Sequence, residues 1–188
     1  GEVEPPIHEE LPPHPVSPYG ASKLAGEGYC SAYAKTFGVE TVALRFGNVY
    51  GPLSGHKNSV VAKFIKRALR GEILEIYGDG AQTRDFIYIA DLVRAVRLAA
   101  SVEDIGGEVF QIATNRETTV GELAEIMQQT LKDKGMPFPE ISYAEPRLGD
   151  VKRNFSDTTK ARKMLGWTPE MDLKPGLVET IDWFLKQE

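Results

Sequence analysis

Tyr19 and Lys23 lie four residues apart in Ser17-Pro18-Tyr19-Gly20-Ala21-Ser22-Lys23, a spacing that puts both side chains on one helix face, one turn apart. A free tyrosine ionises near pH ~10 and is a poor base at neutral pH. A lysine ammonium beside it favours the phenolate and lowers that value. The pair could then take the proton of a substrate hydroxyl. The same residues also suit an ordinary amphipathic helix, so the spacing leaves both readings open.

The helix that must carry them is expected to run to about Phe37, with Pro18 and Gly20 disfavouring an early start and Gly38 as the stop. Ala21, Ala25, Gly28 and Ala32 form a narrow ridge that would let a second helix approach closely. Packing within the chain and a subunit interface both explain it. Cys30, the single cysteine, excludes an internal disulfide framework and fits a reducing, cytoplasmic setting; on the helix it reads as a small buried hydrophobe.

Strands and helices alternate after the helix, which makes the class α/β. Thr41 to Phe46 is β-branched and apolar and reads as a buried strand, followed by the turn-rich Gly47-Asn48-Val49-Tyr50-Gly51-Pro52. Ligand crevices in open α/β sheets form beyond such strand ends, where Asn48 would sit. Residues 59–70 have helical periodicity, with Asn58 or Ser59 as cap. Short strands are expected at 73–77, 86–89, 109–113 and 141–143, with a helix at 90–101 and another at roughly 120–134 capped by Thr119 and Glu122. Ser156 or Asp157 should cap a helix ending at Gly166, and a last amphipathic helix holds Leu177, Ile181, Phe184 and Leu185.

Composition narrows the partners. The 188 residues are 41% hydrophobic and 26% charged, ordinary for a soluble protein. A net charge of -5 without a Lys/Arg cluster argues against nucleic acid. No apolar run reaches membrane-spanning length, and no signal-peptide pattern opens the sequence. The three histidines have no cysteine or carboxylate at zinc-like spacing, so no metal site is expected. An anionic ligand would have to be held by local arginines.

SPYGASKLAGE (17–27), LRFGNVYGP (44–52), NSVV (58–61), LEIYGDGAQTRDFIYIADL (74–92), PRLGDVKRNFSD (146–157) and KMLGWTP (163–169) occur in this order. Together they resemble the extended short-chain dehydrogenase/reductases, and more narrowly the NAD-dependent nucleotide-sugar epimerases and dehydratases, of which UDP-glucose 4-epimerase is the best known. The glycine-rich GxxGxxG turn of that family does not occur here. The resemblance thus implies a C-terminal portion, inactive alone. Residues 1–55 would be the remainder of a partial Rossmann-like, doubly wound NAD-binding domain. Residues 56–188 would mainly form a small mixed α/β nucleotide-sugar-binding domain, with about 86–115 returning to the Rossmann sheet.

What the resemblance implies for individual residues is specific. Tyr19 is the acid/base. Lys23 orients the nicotinamide ribose of NAD and lowers the tyrosine pKa. Phe46 lies beside the nicotinamide. Asn48, Asn58 and Val60 contact the sugar or diphosphate. Leu74, Glu75 and Tyr77 bracket the base. Arg84 and Arg147 bind the diphosphate, Asp150 accepts ribose hydroxyls, and Asn154 lines the sugar pocket with room for an N-acetyl group. The implied reaction is C4 epimerisation of a UDP-sugar, glucose/galactose or the N-acetylated forms, through a 4-keto intermediate. The 4,6-dehydratases and UDP-glucuronate decarboxylases share the scaffold, and an inactive nucleotide-sugar-binding fragment is the alternative of another class. A homodimer through the Tyr19 helix is also implied.

Overall fold

The computed structural model describes residues 3–147 and 149–187. Helix α1 spans Pro18–Phe37 and is followed by strands β1 (Ala43–Phe46) and β2 (Asn48–Tyr50). Next come α2 (Val60–Leu69), β3 (Leu74–Tyr77), β4 (Thr83–Arg84), β5 (Phe86–Tyr88) and α3 (Ile89–Ala99). The chain then continues through β6 (Val109–Ile112), β7 (Thr118–Thr119), α4 (Val120–Asp133), β8 (Ile141–Ala144), α5 (Thr159–Leu165) and α6 (Leu173–Leu185).

The order is that of an α/β fold, and three of the strand pairs are parallel: β1 with β6, β2 with β5, and β3 with β8. The short β4 and β7 pair antiparallel. Strands β2, β4 and β7 were not expected from the sequence: β4 and β7 are two residues each, too few to show alternation, and β2 falls in the stretch read as a turn. No helix among the described residues is long and apolar enough to cross a membrane.

Two apolar clusters organise the chain. One gathers Phe64 and Ile65 of α2, Leu74 and Ile76 of β3, Leu123 and Met127 of α4, and Leu177 and Ile181 of α6. The other gathers Phe110 and Ile112 of β6, Ala95 of α3, Ala161 and Leu165 of α5, and Trp167. Strand β5 serves both: Phe86 and Tyr88 point to the first, Ile87 to the second, as the alternation of a pleated strand requires. The α5 segment, expected with the sugar-binding unit, packs in the β6 cluster because its apolar residues Ala161 and Leu165 face that way.

Helix termini follow local chemistry. Ser17 Oγ accepts the Gly20 N–H at 3.1 Å, and Pro18 fills the first helical position, where a missing N–H leaves nothing unsatisfied. Pro18 therefore starts α1 rather than delaying it. Gly38 ends it at φ 65. Thr119 and Glu122 form the capping box expected for α4. The cap of α5 falls instead on Thr158: Ser156 is drawn inward by its bonds to Asp85 and Gln111, and Asp157 accepts the Thr159 N–H at 2.7 Å.

Helix α1 holds no buried residue. Its inward face is Gly20, Leu24, Glu27, Ser31 and Ala34, each half-buried. The ridge of Ala21, Ala25, Gly28 and Ala32 is exposed, and Cys30 is half-buried rather than buried. Within α6, Gly176 touches Tyr50 so closely that a Cβ would lie 2.2 Å from the tyrosine hydroxyl oxygen.

Candidate functional site

A cleft of about 270 Å³ opens where β2, the start of α2, β3 and β4 meet. Asn48 enters it from the first residue of β2, whose N–H donates to the Asp85 carbonyl at 2.6 Å. Asn58 and Val60 line it from the N-terminus of α2, where unpaired N–H groups favour an anion. Glu75 and Tyr77 alternate onto the cleft face of β3, and Arg84, Arg147 and Asp150 close the other side.

The arginines are held differently. Arg84 Nη1 donates to the carbonyls of Thr83 at 2.6 Å and Val151 at 2.7 Å, and Nη2 pairs with the Asp150 carboxylate. Arg147 lies over the Tyr77 ring, its guanidinium carbon 3.8 Å from the ring centre. Lys63 approaches the same ring at 5.1 Å. Two guanidinium groups, an ammonium and a helix N-terminus thus converge beside an aromatic ring. That set suits a diphosphate attached to a flat base.

Asp85 supports the cleft from beneath. Its carboxylate accepts from Thr114 N–H at 2.7 Å, Thr114 Oγ1 at 2.6 Å, Asn115 N–H at 3.0 Å and Ser156 N–H at 3.3 Å. Burial pushes this carboxyl above the usual range, while those donors pull it down. The residue ties β4, the end of β6 and the 150s segment together, and its carbonyl positions Asn48.

Tyr19 and Lys23 stand outside the cleft, on α1. Tyr19 is 72% exposed, and the Lys23 ammonium lies 5.1 Å from its ring centre. Phe46, at the end of β1, is 50% exposed.

Two expected residues are not brought to the cleft. Leu74 is fully buried, and the cleft is lined on β3 by Glu75, Ile76 and Tyr77. Asn154 does not line it either. Its N–H donates to Thr83 Oγ1 at 3.3 Å, while Arg153 forks onto Glu117 at 2.7 and 2.9 Å.

Sequence reasoning missed Ser59, Lys63 and Gln82, all of which line the cleft. Ser59 Oγ is a buried hydroxyl with no partner among the described residues and makes no cap bond at the start of α2. Gln82 Nε2 donates to the Tyr77 carbonyl at 2.8 Å. Lys63 follows Val60 by three residues, and that spacing could have flagged it.

Comparison with known proteins matches residues 1–180 to the family model described as GDP-mannose 4,6 dehydratase. The UDP-glucose 4-epimerase of Mycolicibacterium smegmatis is 36% identical over 181 residues, which is 95% of this chain and 56% of that protein. The crystal structure of the Thermotoga maritima UDP-glucose 4-epimerase with UDP-glucose superposes at TM-score 0.85 and 41% identity, covering 93% of this chain and 55% of that one. The Bacillus cereus UDP-glucuronic acid 4-epimerase, in complex with UDP-glucuronic acid and NAD, gives TM-score 0.89 at 31% identity, over 100% of this chain and 59% of that one. The chain spans about half the length of the relatives it matches. With a family model running through nearly the whole chain and this fold beneath it, the protein belongs to the NAD-dependent epimerase/dehydratase family of short-chain dehydrogenase/reductases.

Proposed function

We propose that this chain supplies the nucleotide-sugar cleft and the proton-transferring tyrosine of an NAD-dependent UDP-sugar 4-epimerase. The observation that carries the reading is the convergence of Arg84, Arg147 and the α2 N-terminus on one cleft beside Tyr77. The epimerases named above, seen with UDP-sugars, support it.

The residues fit the nicotinamide-ribose end of a dinucleotide. Tyr19 and Lys23 present a hydroxyl and an ammonium on an open helix face, and Phe46 presents a half-exposed ring at a strand end. Bound NAD would supply the hydride acceptor. Turnover is proposed for this chain joined to a glycine-rich pyrophosphate loop, which residues 1–188 do not contain.

In this reading Tyr19 removes the sugar hydroxyl proton and later returns one, and Lys23 stabilises the phenolate. Arg84 and Arg147 hold the diphosphate, Asn48, Asn58 and Val60 orient it, and Asp150, steadied by Arg84, receives the ribose hydroxyls. A homodimer through α1 belongs to the same reading, supported by the exposed Tyr29, Tyr33 and Phe37. The family model's own description supports 4,6-dehydration as the second reading.

Calorimetric titration of the chain with UDP, dTDP and GDP tests the cleft. UDP is expected to bind best. Failure of all three to bind overturns the reading, and a preference for dTDP or GDP moves it toward the dehydratases. Conversion of UDP-glucose to UDP-galactose by the chain joined to a glycine-rich pyrophosphate loop tests the reaction.

A further inference from the structure

Tyr19, Lys23 and Glu27 follow one another at four-residue spacing along α1. Lys23 therefore stands one turn from a ring and one turn from a carboxylate. A lysine and a glutamate four apart on a helix ordinarily attract each other. Here they do not meet. The Lys23 ammonium lies over the Tyr19 ring, and among the described residues it is in no ion pair.

The reason lies on β1. Arg45 Nε donates to Glu27 Oε1 at 2.8 Å, and Arg45 Nη2 donates to Oε2 at 2.7 Å. The fork occupies both carboxylate oxygens, and its planar geometry matches the carboxylate better than an ammonium can. The pair is largely shielded, with side chains 26% and 18% exposed. Hydrogen bonding to Glu27 holds the guanidinium firmly charged, and Glu9 adds to this. Glu9 comes from the N-terminal segment, where its carboxylate accepts the Gln111 N–H at 2.7 Å. Gln111, the register partner of Arg45 on β6, is neutral. The charged groups facing the pair are thus Glu27, Arg45 and Glu9, with Lys23 one turn away.

We propose that Arg45 is a positioning residue: by engaging both oxygens of Glu27, it prevents Glu27 from drawing the Lys23 ammonium away from Tyr19. The proposal rests on the reading of Tyr19 and Lys23 as the acid/base pair. Arg45 touches neither of them and acts through Glu27. A merely structural clamp would also join α1 to β1, but it would not govern where Tyr19 loses its proton.

The test is a pH titration of the chain carrying 13Cζ-labelled tyrosine, followed by NMR. The Tyr19 signal is assigned by its loss in Tyr19→Phe. Arg45→Met is expected to move the Tyr19 deprotonation midpoint upward by roughly half a pH unit or more, because Glu27 then competes for Lys23. The double variant Glu27→Gln/Arg45→Met is expected to return it to the parent position, although the clamp is still missing. In Lys23→Met, further replacement of Arg45 should change nothing. If Arg45→Met loses its fold by circular dichroism, Arg45→Lys carries the test, with a smaller upward move expected. A Tyr19 midpoint that ignores Arg45, or that the double variant fails to restore, overturns the proposal. UDP titration of the same samples reports on the cleft separately, so the functional reading and this one can fail independently.

Discussion

The Arg147 guanidinium carbon stands 3.8 Å from the centre of the Tyr77 ring. That contact pins the segment after β8 onto the cleft face of β3. It also aims the guanidinium into the space beside α2, where Lys63 adds a second cation. Arg147 is exposed in the free chain; if the diphosphate buries it on binding, Arg147→Ala is expected to weaken UDP-sugar binding by roughly 2–5 kcal/mol, the range for removing one partner of a buried, hydrogen-bonded charge pair. Calorimetry checks this, and an unchanged dissociation constant would remove Arg147 from the site.

In the proposed reading the binding residues line the cleft while Tyr19 and Lys23 stand outside it, so the two roles should respond to different substitutions. Tyr19→Phe removes one hydroxyl from an exposed position on α1 and leaves every cleft residue in place. With the chain joined to a glycine-rich pyrophosphate loop, turnover should fall at least ~100-fold, the low end for loss of a general acid/base. UDP-glucose affinity should stay within about twofold, or ~0.4 kcal/mol, since the nucleotide contacts are untouched. Steady-state rates with matched calorimetry separate the two. A variant that retained a rate near the parent's would take the acid/base role away from Tyr19.

The α/β class and the positions of the longer elements were legible because α2, α4 and α6 carry full apolar stripes that end up in one cluster. The cleft residues Asn48, Arg84 and Arg147 were legible as polar groups at strand ends and turns, where ligand-binding chemistry concentrates. The burial of the Leu74 side chain was not legible, because a resemblance names a segment while packing decides which of its side chains enter the core. The place of Asn154 outside the cleft goes with a network that spacing cannot show: Thr83, Glu117 and Arg153 are distant in sequence and meet only in the fold. The burial of Ser59 Oγ likewise depends on how α2 packs, and no local signal carries it.

Gly176→Ala should destabilise the chain even though it lies inside α6. In an open helix the change would gain about 0.5–1 kcal/mol. Here the added Cβ would lie 2.2 Å from Tyr50 Oη and 3.0 Å from Cζ. The ring is buried against Tyr88, with centroids 5.6 Å apart, so it has little room to move. Overpacking of this kind costs roughly 1–3 kcal/mol, which reverses the sign. Urea denaturation decides it: a higher midpoint than the parent's would show that the Tyr50 ring shifts freely.

Acid stability provides the last prediction. Arg153 forks onto Glu117, and Thr83 Oγ1 donates to the same carboxylate at 2.8 Å. These donors, Arg153 foremost, hold the Glu117 carboxyl down to about 2. In the unfolded chain a glutamate titrates near ~4.3. A carboxyl whose value is lower in the folded state binds its proton more readily when unfolded, so falling pH favours unfolding. The stabilisation from Glu117 is therefore complete above about pH 4.3 and is lost as the pH falls toward about 2. Asp85, pushed upward by burial, acts in the opposite sense, so absolute stability curves would mix the two. The difference between the parent and Glu117→Gln cancels Asp85. Their urea midpoints should be furthest apart at neutral pH and converge between about pH 4.3 and 2, because only the parent has this carboxylate to protonate. A gap that stayed constant across that window would mean that Glu117 gains nothing from Arg153 and Thr83 in the folded chain.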